Sequence, residues 1–478
     1  MAGDSNMSSG LSKLISKFSS LKNKQPLNSN QVAIESVQGE QLVKDLSKCG
    51  TCVEENISCT CGDLSIVVID KQDSRHQVKG NSSFAQSVIN MAGILIGLGQ
   101  LSTPYALEKG GWMSIFLLVG LGIICTYTSH LMGKCLRKSP KSKDYQDIGQ
   151  EAFGMTGKVI ASAFIYVAIF LALVSCTISL SDNLTTVFRG THISIPGVHL
   201  SPYQLLTLVA VLVALPSLWL RDLSSISFLS SGGIFMSFLI FITVAWTAAF
   251  GSVGANKTIP ALRMKNFPGI SGLYIFSFAG HIVFPNIYTA MKDPSKFTKV
   301  CFVSFTLVTA HYTALAFMGA KLFGPAVSSQ ITLSMPPHLI ATKIALWATV
   351  LTPMTKYALE FAPIALQLEH NLPSSIGSRM RMIIRGTTGS LLLLGILILA
   401  LSIPYFQHVL GLTGSLISIS ISIILPCAFY LKICRSQVSI PVFILNITLI
   451  AIGALLAVVG TISSSKSLVE SIKRGHSN

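Results

Sequence analysis

The sequence predicts an all-helical, polytopic membrane protein, and three observations lead there. Half of the residues are hydrophobic, only 11% are charged, and the mean hydropathy is +0.62, a balance that soluble domains do not reach. About eleven apolar segments are long enough to cross a hydrocarbon core of roughly 30 Å. Two of them are interrupted by small residues and proline at corresponding places in two halves of the chain.

Taken in order, the segments lie near 82–106, 112–136, 159–187, 204–220, 224–250, 271–291, 298–322, 339–359, 382–402, 406–431 and 439–462. The first is the most informative. Gly93, Gly97, Gly99, Gln100, Ser102, Thr103 and Pro104 fall inside it, where a lipid-facing helix would be leucine and valine throughout. Such a helix is built to break at mid-membrane, and broken helices are tolerated there only where they line a cavity. The fourth segment is the shortest, and the eighth is diluted by Thr352, Pro353, Thr355 and Lys356. The sixth reads Phe276-Ser277-Phe278-Ala279-Gly280-His281-Ile282-Val283-Phe284-Pro285-Asn286, a second break five spans after the first. Paired breaks at the first position of each five-span half point to the binding site of an inverted-repeat carrier.

The formal net charge of +16 would suggest nucleic acid in a soluble chain. Here the basic residues sit in short loops between apolar runs, where they act as topology signals, so no nucleic-acid partner is expected. Lys134, Arg137, Lys138, Lys141 and Lys143 follow the second span; Lys292, Lys296 and Lys299 follow the sixth; Arg379, Arg381 and Arg385 follow the eighth; Lys432 and Arg435 follow the tenth. The opposite loops carry about half as many, chiefly Lys257, Arg263 and Lys265. This asymmetry favours a cytosolic N-terminus. No secretory signal precedes the spans, so the first span directs insertion. The expected organisation is a largely disordered, cysteine-containing cytosolic tail over 1–78, a transmembrane transporter domain over 79–463, and a short polar tail over 464–478.

A break near Gly97–Gly99 frees backbone N–H groups at the start of a half-helix, where the macrodipole is positive. Those donors suit a carboxylate. Carbonyls freed at the end of the first half, and near Ser277, Ala279 and Gly280, suit an ammonium group. Backbone alone then describes a site for an amino-acid zwitterion, consistent with the lack of Asp, Glu, Lys or Arg between Ser82 and Leu107. The substrate-binding candidates are Gly97, Leu98, Gly99, Ser277, Ala279 and Gly280.

The run Ser83-Phe84 through Asn90 to Gly97-Leu98-Gly99-Gln100-Leu101-Ser102-Thr103-Pro104-Tyr105-Ala106, followed by Gly110-Gly111-Trp112, resembles the amino acid/auxin permease (AAAP) family. Tyr145-Gln146-Asp147-Ile148-Gly149-Gln150-Glu151-Ala152-Phe153-Gly154 resembles its plant and fungal vacuolar amino-acid transporter (AVT) branch. The resemblance covers roughly residues 81–462. It implies a five-plus-five inverted repeat of the APC/LeuT-like type with helices 1 and 6 broken, an eleventh helix, and amino-acid transport coupled to protons. Sodium-coupled members of the wider family resemble Asn-x-x-Asn in the first span. This chain has Asn90-Met91-Ala92-Gly93, so a side-chain oxygen that a hard cation would use is missing, although backbone carbonyls and Thr352 or Thr355 remain available.

Proton coupling needs a titrating group. The ionisable residues placed within spans are His130, Asp182, His281 and His311. His281 lies in the break of span six, and histidine titrates near working pH, so it is the coupling candidate; a neutral histidine bonded to a freed carbonyl is the plainer alternative. In the tail, Cys49, Cys52, Cys59 and Cys61 offer one CxxC pair and one CxC pair. Zinc ligation, reduced surface thiols and palmitoylation or redox regulation all remain open for them. Sequons at Asn183 and Asn256 would face the lumen.

No His-box, paired-acid or nucleophile signature marks a membrane enzyme, and no repeated polar lining marks a channel. The expected function is proton-coupled transport of mainly neutral amino acids by alternating access, without a cofactor beyond the proton. The expected address is the vacuolar membrane, with the plasma membrane or another endomembrane open. An amino-acid sensor built on the transporter fold is the rival reading. Protein partners, direction of transport and oligomeric state are not legible.

Overall fold

The computed structural model describes residues 80–189, 200–214, 223–251, 253–254, 258–371 and 377–475. The tail cysteines Cys49, Cys52, Cys59 and Cys61 and the Asn256 sequon lie outside them. The described residues fall within the compact unit Val78–Asn478.

Each of the eleven apolar segments contains a helix or a helix pair. The first begins at α1 (Phe84–Leu95), capped by the Ser83 hydroxyl, which accepts the Gln86 N–H at 3.2 Å. After Ile96, Gly97 and Leu98 the chain turns by 58° into α2 (Gly99–Gly110). Span two is α3 (Ser114–Lys138). Span three is the long α4 (Tyr145–Val187), kinked where Gly154 takes φ +65°. Its N-terminus is a reciprocal cap: Asp144 accepts the Asp147 N–H at 2.8 Å and the Asp147 carboxylate accepts the Lys143 N–H at 2.9 Å. Spans four and five are α5 (Pro202–Ala214) and α6 (Leu223–Phe250). Span six is the pair α7 (Phe267–Ser277) and α8 (Phe284–Ala290). Then follow α9 (Phe297–Phe323), α10 (Ile340–Asn371) and α11 (Ser378–Ser402). Span ten starts as α12 (Phe406–Leu412), widens into π-helical turns over Thr413–Ser418 and Ser420–Ile424, and ends as α13 (Leu425–Ile433). The last helix, α14 (Ile440–Gly475), continues through most of the stretch read as a polar tail.

By length and apolarity alone, seven described helices are long enough to cross a membrane, and the bent pair of span one makes an eighth. The remaining segments fall short for local reasons: α5, α7 and α8 are short, and α10 is diluted by the polar residues noted above. The outward surface is apolar, with Phe116, Ile123, Phe302 and Leu455 each more than half exposed, as lipid contact requires and water would not favour. The chain is a multi-pass integral membrane protein.

Spans one and six are tied to each other at both ends. At one end the Ser82 N–H donates to the Ala290 carbonyl at 2.9 Å and the Lys292 N–H donates to the Ser82 carbonyl at 3.0 Å. At the other, the Arg263 N–H donates to the Gly110 carbonyl at 3.0 Å, and its guanidinium meets the buried Glu108 carboxylate at 3.0 Å. Gly111 makes this junction possible: its φ is +82°, and a Cβ there would lie 2.6 Å from the Pro260 carbonyl oxygen. The two broken spans therefore run antiparallel, break beside break.

Candidate functional site

The two breaks touch. A Cβ on Gly99 would lie 2.6 Å from Ser277 Cα and would overlap the Ser277 hydroxyl, so only glycine lets α2 begin against the end of α7. Each break leaves backbone groups without helical partners. Among the described residues, the Leu98 and Gly99 N–H groups have no acceptor, and the Ala279 carbonyl has no donor. These stand on facing half-helices, so bare donors and a bare acceptor share one space.

A residue that sequence reasoning missed holds the two breaks together. The fully buried Tyr312 of α9 places its hydroxyl 2.6 Å from the Leu95 carbonyl and 3.0 Å from the Ser277 carbonyl, the last residues of α1 and α7. One phenol thus serves carbonyls freed by both breaks. Phe278 packs on its ring, and Phe305 and Phe284 continue the stack, with successive ring centroids 5.6–6.1 Å apart; such pairs contribute about 0.5–1.5 kcal/mol each beyond their buried area.

His281 is fully buried. Its Nε2 lies 3.0 Å from the Thr128 hydroxyl and 3.1 Å from the Ser129 hydroxyl. Both hydroxyls are also placed to donate to the Cys125 carbonyl, an arrangement that favours Nε2 as the donor. Among the described residues Nδ1 has no partner.

Gly97, Leu98, Gly99, Ala279 and His281 line one cavity of about 110 Å³ between the breaks. On this measure a single water needs roughly 10–15 Å³, so the space admits several waters or a small ligand. Ser277 and Gly280 are not among its lining. The Ser277 hydroxyl turns back to the Leu273 carbonyl at 3.0 Å, and Gly280 is packed by Leu95 and Phe284. Two charged side chains of α10, Lys356 and Glu360, complete the lining, with Cys176 of α4 and Thr413 and Ser418 of span ten. A Cβ on Gly97 would lie 2.5 Å from the Lys356 ammonium nitrogen. Sequence reading had noted Lys356 only as a diluting residue; its i, i+4 relation to Glu360, which puts both on one helix face, was the available signal.

The other embedded ionisable groups sit apart from this cavity. Asp182 accepts from the Gln330 amide at 2.7 Å, His130 pairs with Thr298 at 2.8 Å, and His311 bonds Gln100 at 3.1 Å. Asn183 is buried and bonded to Ser179, Gln330 and Thr332, which excludes glycosylation of that sequon. Gly93 packs against the Ile234 side chain, so an apolar contact stands beside the position where a sodium-ligand oxygen was expected to be missing. The hydroxyls of Thr352 and Thr355 bond carbonyls of their own helix at 2.8 Å.

Residues 80–466 match the family described as transmembrane amino acid transporter protein. The chain belongs to that family. It is 59% identical over 428 residues to the amino acid transporter AVT1H of Arabidopsis thaliana, covering 90% of this chain and 99% of the relative. It is 39% identical to AVT1E of the same plant over 82% of this chain and 75% of that one. The resemblance to the AVT branch is thereby borne out. Among solved structures, MhsT in complex with L-phenylalanine aligns with a TM-score of 0.51 at 13% identity, covering 79% of this chain and 98% of its own. The inward-facing conformation of Mhp1 aligns with a TM-score of 0.52 at 10% identity, covering 84% and 92%. Both are LeuT-fold transporters, and the fold class expected from the paired breaks stands. These relatives are transporters and not enzymes.

Proposed function

We propose that this transporter moves neutral amino acids together with protons, by alternating access around the cavity between the breaks of spans one and six. The observation that carries the reading is the polarity of that cavity: bare N–H groups of Leu98 and Gly99 on one half-helix, and a bare Ala279 carbonyl on the other. A carboxylate fits the first set, beside Gly97, and an ammonium fits the second, at Ala279. The AVT1H and AVT1E relatives carry the name amino acid transporter, which supports the substrate class.

Proton coupling is supported by His281, which keeps both Nε2–H bonds whether or not Nδ1 carries a proton. The packing of Gly93 against Ile234 argues against sodium in that place. The branch name supports a vacuolar membrane, and the loop charges support a cytosolic N-terminus.

The test is uptake of labelled alanine, leucine, phenylalanine and glutamine into proteoliposomes, with an imposed pH gradient and no sodium. Gradient-driven accumulation is the expected result, and its sign separates symport from exchange. Absence of flux under every gradient, with binding still measurable by thermal shift, would overturn transport in favour of sensing.

A further inference from the structure

Lys356 and Glu360 are the two formal charges on the cavity wall, and the backbone reading of the site gave them no role. A charged side chain at mid-span is expensive unless it faces a polar cavity or a partner. The Lys356 ammonium stands against Gly97, the residue before the bare Leu98 and Gly99 N–H groups. Among the described residues it forms no hydrogen bond and no ion pair within 4 Å. Glu360, one turn along α10, is the charge that attracts it. The other titratable groups facing this pair are Cys176 from α4 and His281 from span six; the span-one break contributes backbone alone.

We propose that Lys356 is the side-chain counter-ion of the substrate carboxylate, and that its move from Glu360 to the substrate links amino-acid binding to proton uptake. The inference rests on the transport reading above and adds to it a specificity residue and a charge exchange. In the empty site Lys356 and Glu360 balance each other. A zwitterion brings its carboxylate to the span-one break, where Lys356 joins the backbone donors. Glu360 has then lost its counter-charge, and a buried carboxylate without one takes up a proton itself. That proton is the one net charge that accompanies the substrate. The two residues sum to zero, so a zwitterion by itself leaves the charge of the cavity unchanged. A substrate with a charged side chain would not, which accounts for a neutral preference.

The test uses the full chain in proteoliposomes with the best-transported labelled amino acid of the panel above, competed by its unlabelled decarboxylated amine. In wild type the amine is a poor competitor. Lys356→Met should raise KM by at least about tenfold and narrow the gap between amino acid and amine, an effect that a merely structural role would not produce. Lys356→Arg should restore affinity and selectivity. Glu360→Gln, which releases Lys356 to the substrate, should leave KM equal or lower while gradient-driven accumulation falls toward simple equilibration. A wild-type KM and amine selectivity in Lys356→Met would overturn the counter-ion role, and wild-type accumulation in Glu360→Gln would overturn the link to protons. If Lys356→Met does not insert, lost selectivity in Lys356→Arg or a raised KM in Glu360→Gln overturns the proposal by itself. Wild-type protein without flux would instead remove the transport reading.

Discussion

The breaks of spans one and six are made by different chemistry and are held differently. Span one breaks through glycine: Gly97 and Gly99 lower the cost of leaving the helix, and the exposed backbone faces the cavity with few side chains of its own. Span six breaks at Gly280–His281 before Pro285, and its polar side chain is bonded to two hydroxyls of α3. One break is open backbone that a ligand can use; the other is anchored to its neighbour. On the site proposed above, this contrast amounts to a division of labour: span one would meet the substrate and span six would set where the meeting happens.

The comparison breaks most completely at Gly99. Gly99→Val puts side-chain atoms into Ser277 Cα and Cβ, which are backbone-fixed and cannot yield. Transport should fall below detection in the uptake assay, while the variant still reaches the membrane by surface or fractionation blot. Gly97→Ala meets only the far end of the flexible Lys356 side chain, so its flux should drop severalfold and not vanish. Equal losses at the two positions would show that the contact between breaks is not what Gly99 protects.

Tyr312→Phe comes next, because it removes the group shared by both breaks. Leaving the buried Leu95 and Ser277 carbonyls short of a donor costs about 1–3 kcal/mol, read as a lower Tm in detergent with reduced flux. His281→Gln should flatten the dependence of flux on pH and leave residual exchange; an unchanged profile would remove it from the coupling role. The smallest effect is expected far from the site, at Asp144→Ala. Loss of that N-cap costs about 1 kcal/mol in a thermal melt, with KM unchanged.

Much of this arrangement was legible in the sequence because it depends on local chemistry. Glycine spacing and a proline after small residues announce a broken helix whatever surrounds it, and the loop charges announce topology. Tyr312 was not legible: it is one aromatic in an apolar run, and its partner Leu95 is 217 residues away. Lys356 was visible but misjudged, since hydropathy counts a lysine as dilution without saying which face of the helix carries it. His281 was noticed, yet its favoured tautomer depends on Thr128 and Ser129 on another helix. Ser277 and Gly280 were expected at the cavity and instead pack the junction, because a break exposes only the backbone that happens to face inward.

The ties of Ser82 to Ala290 and Lys292 at one end, and of Gly110 to Arg263 at the other, make spans one and six into a closed bracket. A bracket fastened at both ends transmits tilt and resists shear. On the alternating-access reading proposed above, the two half-sites would therefore travel together and the ligand's seat would be preserved.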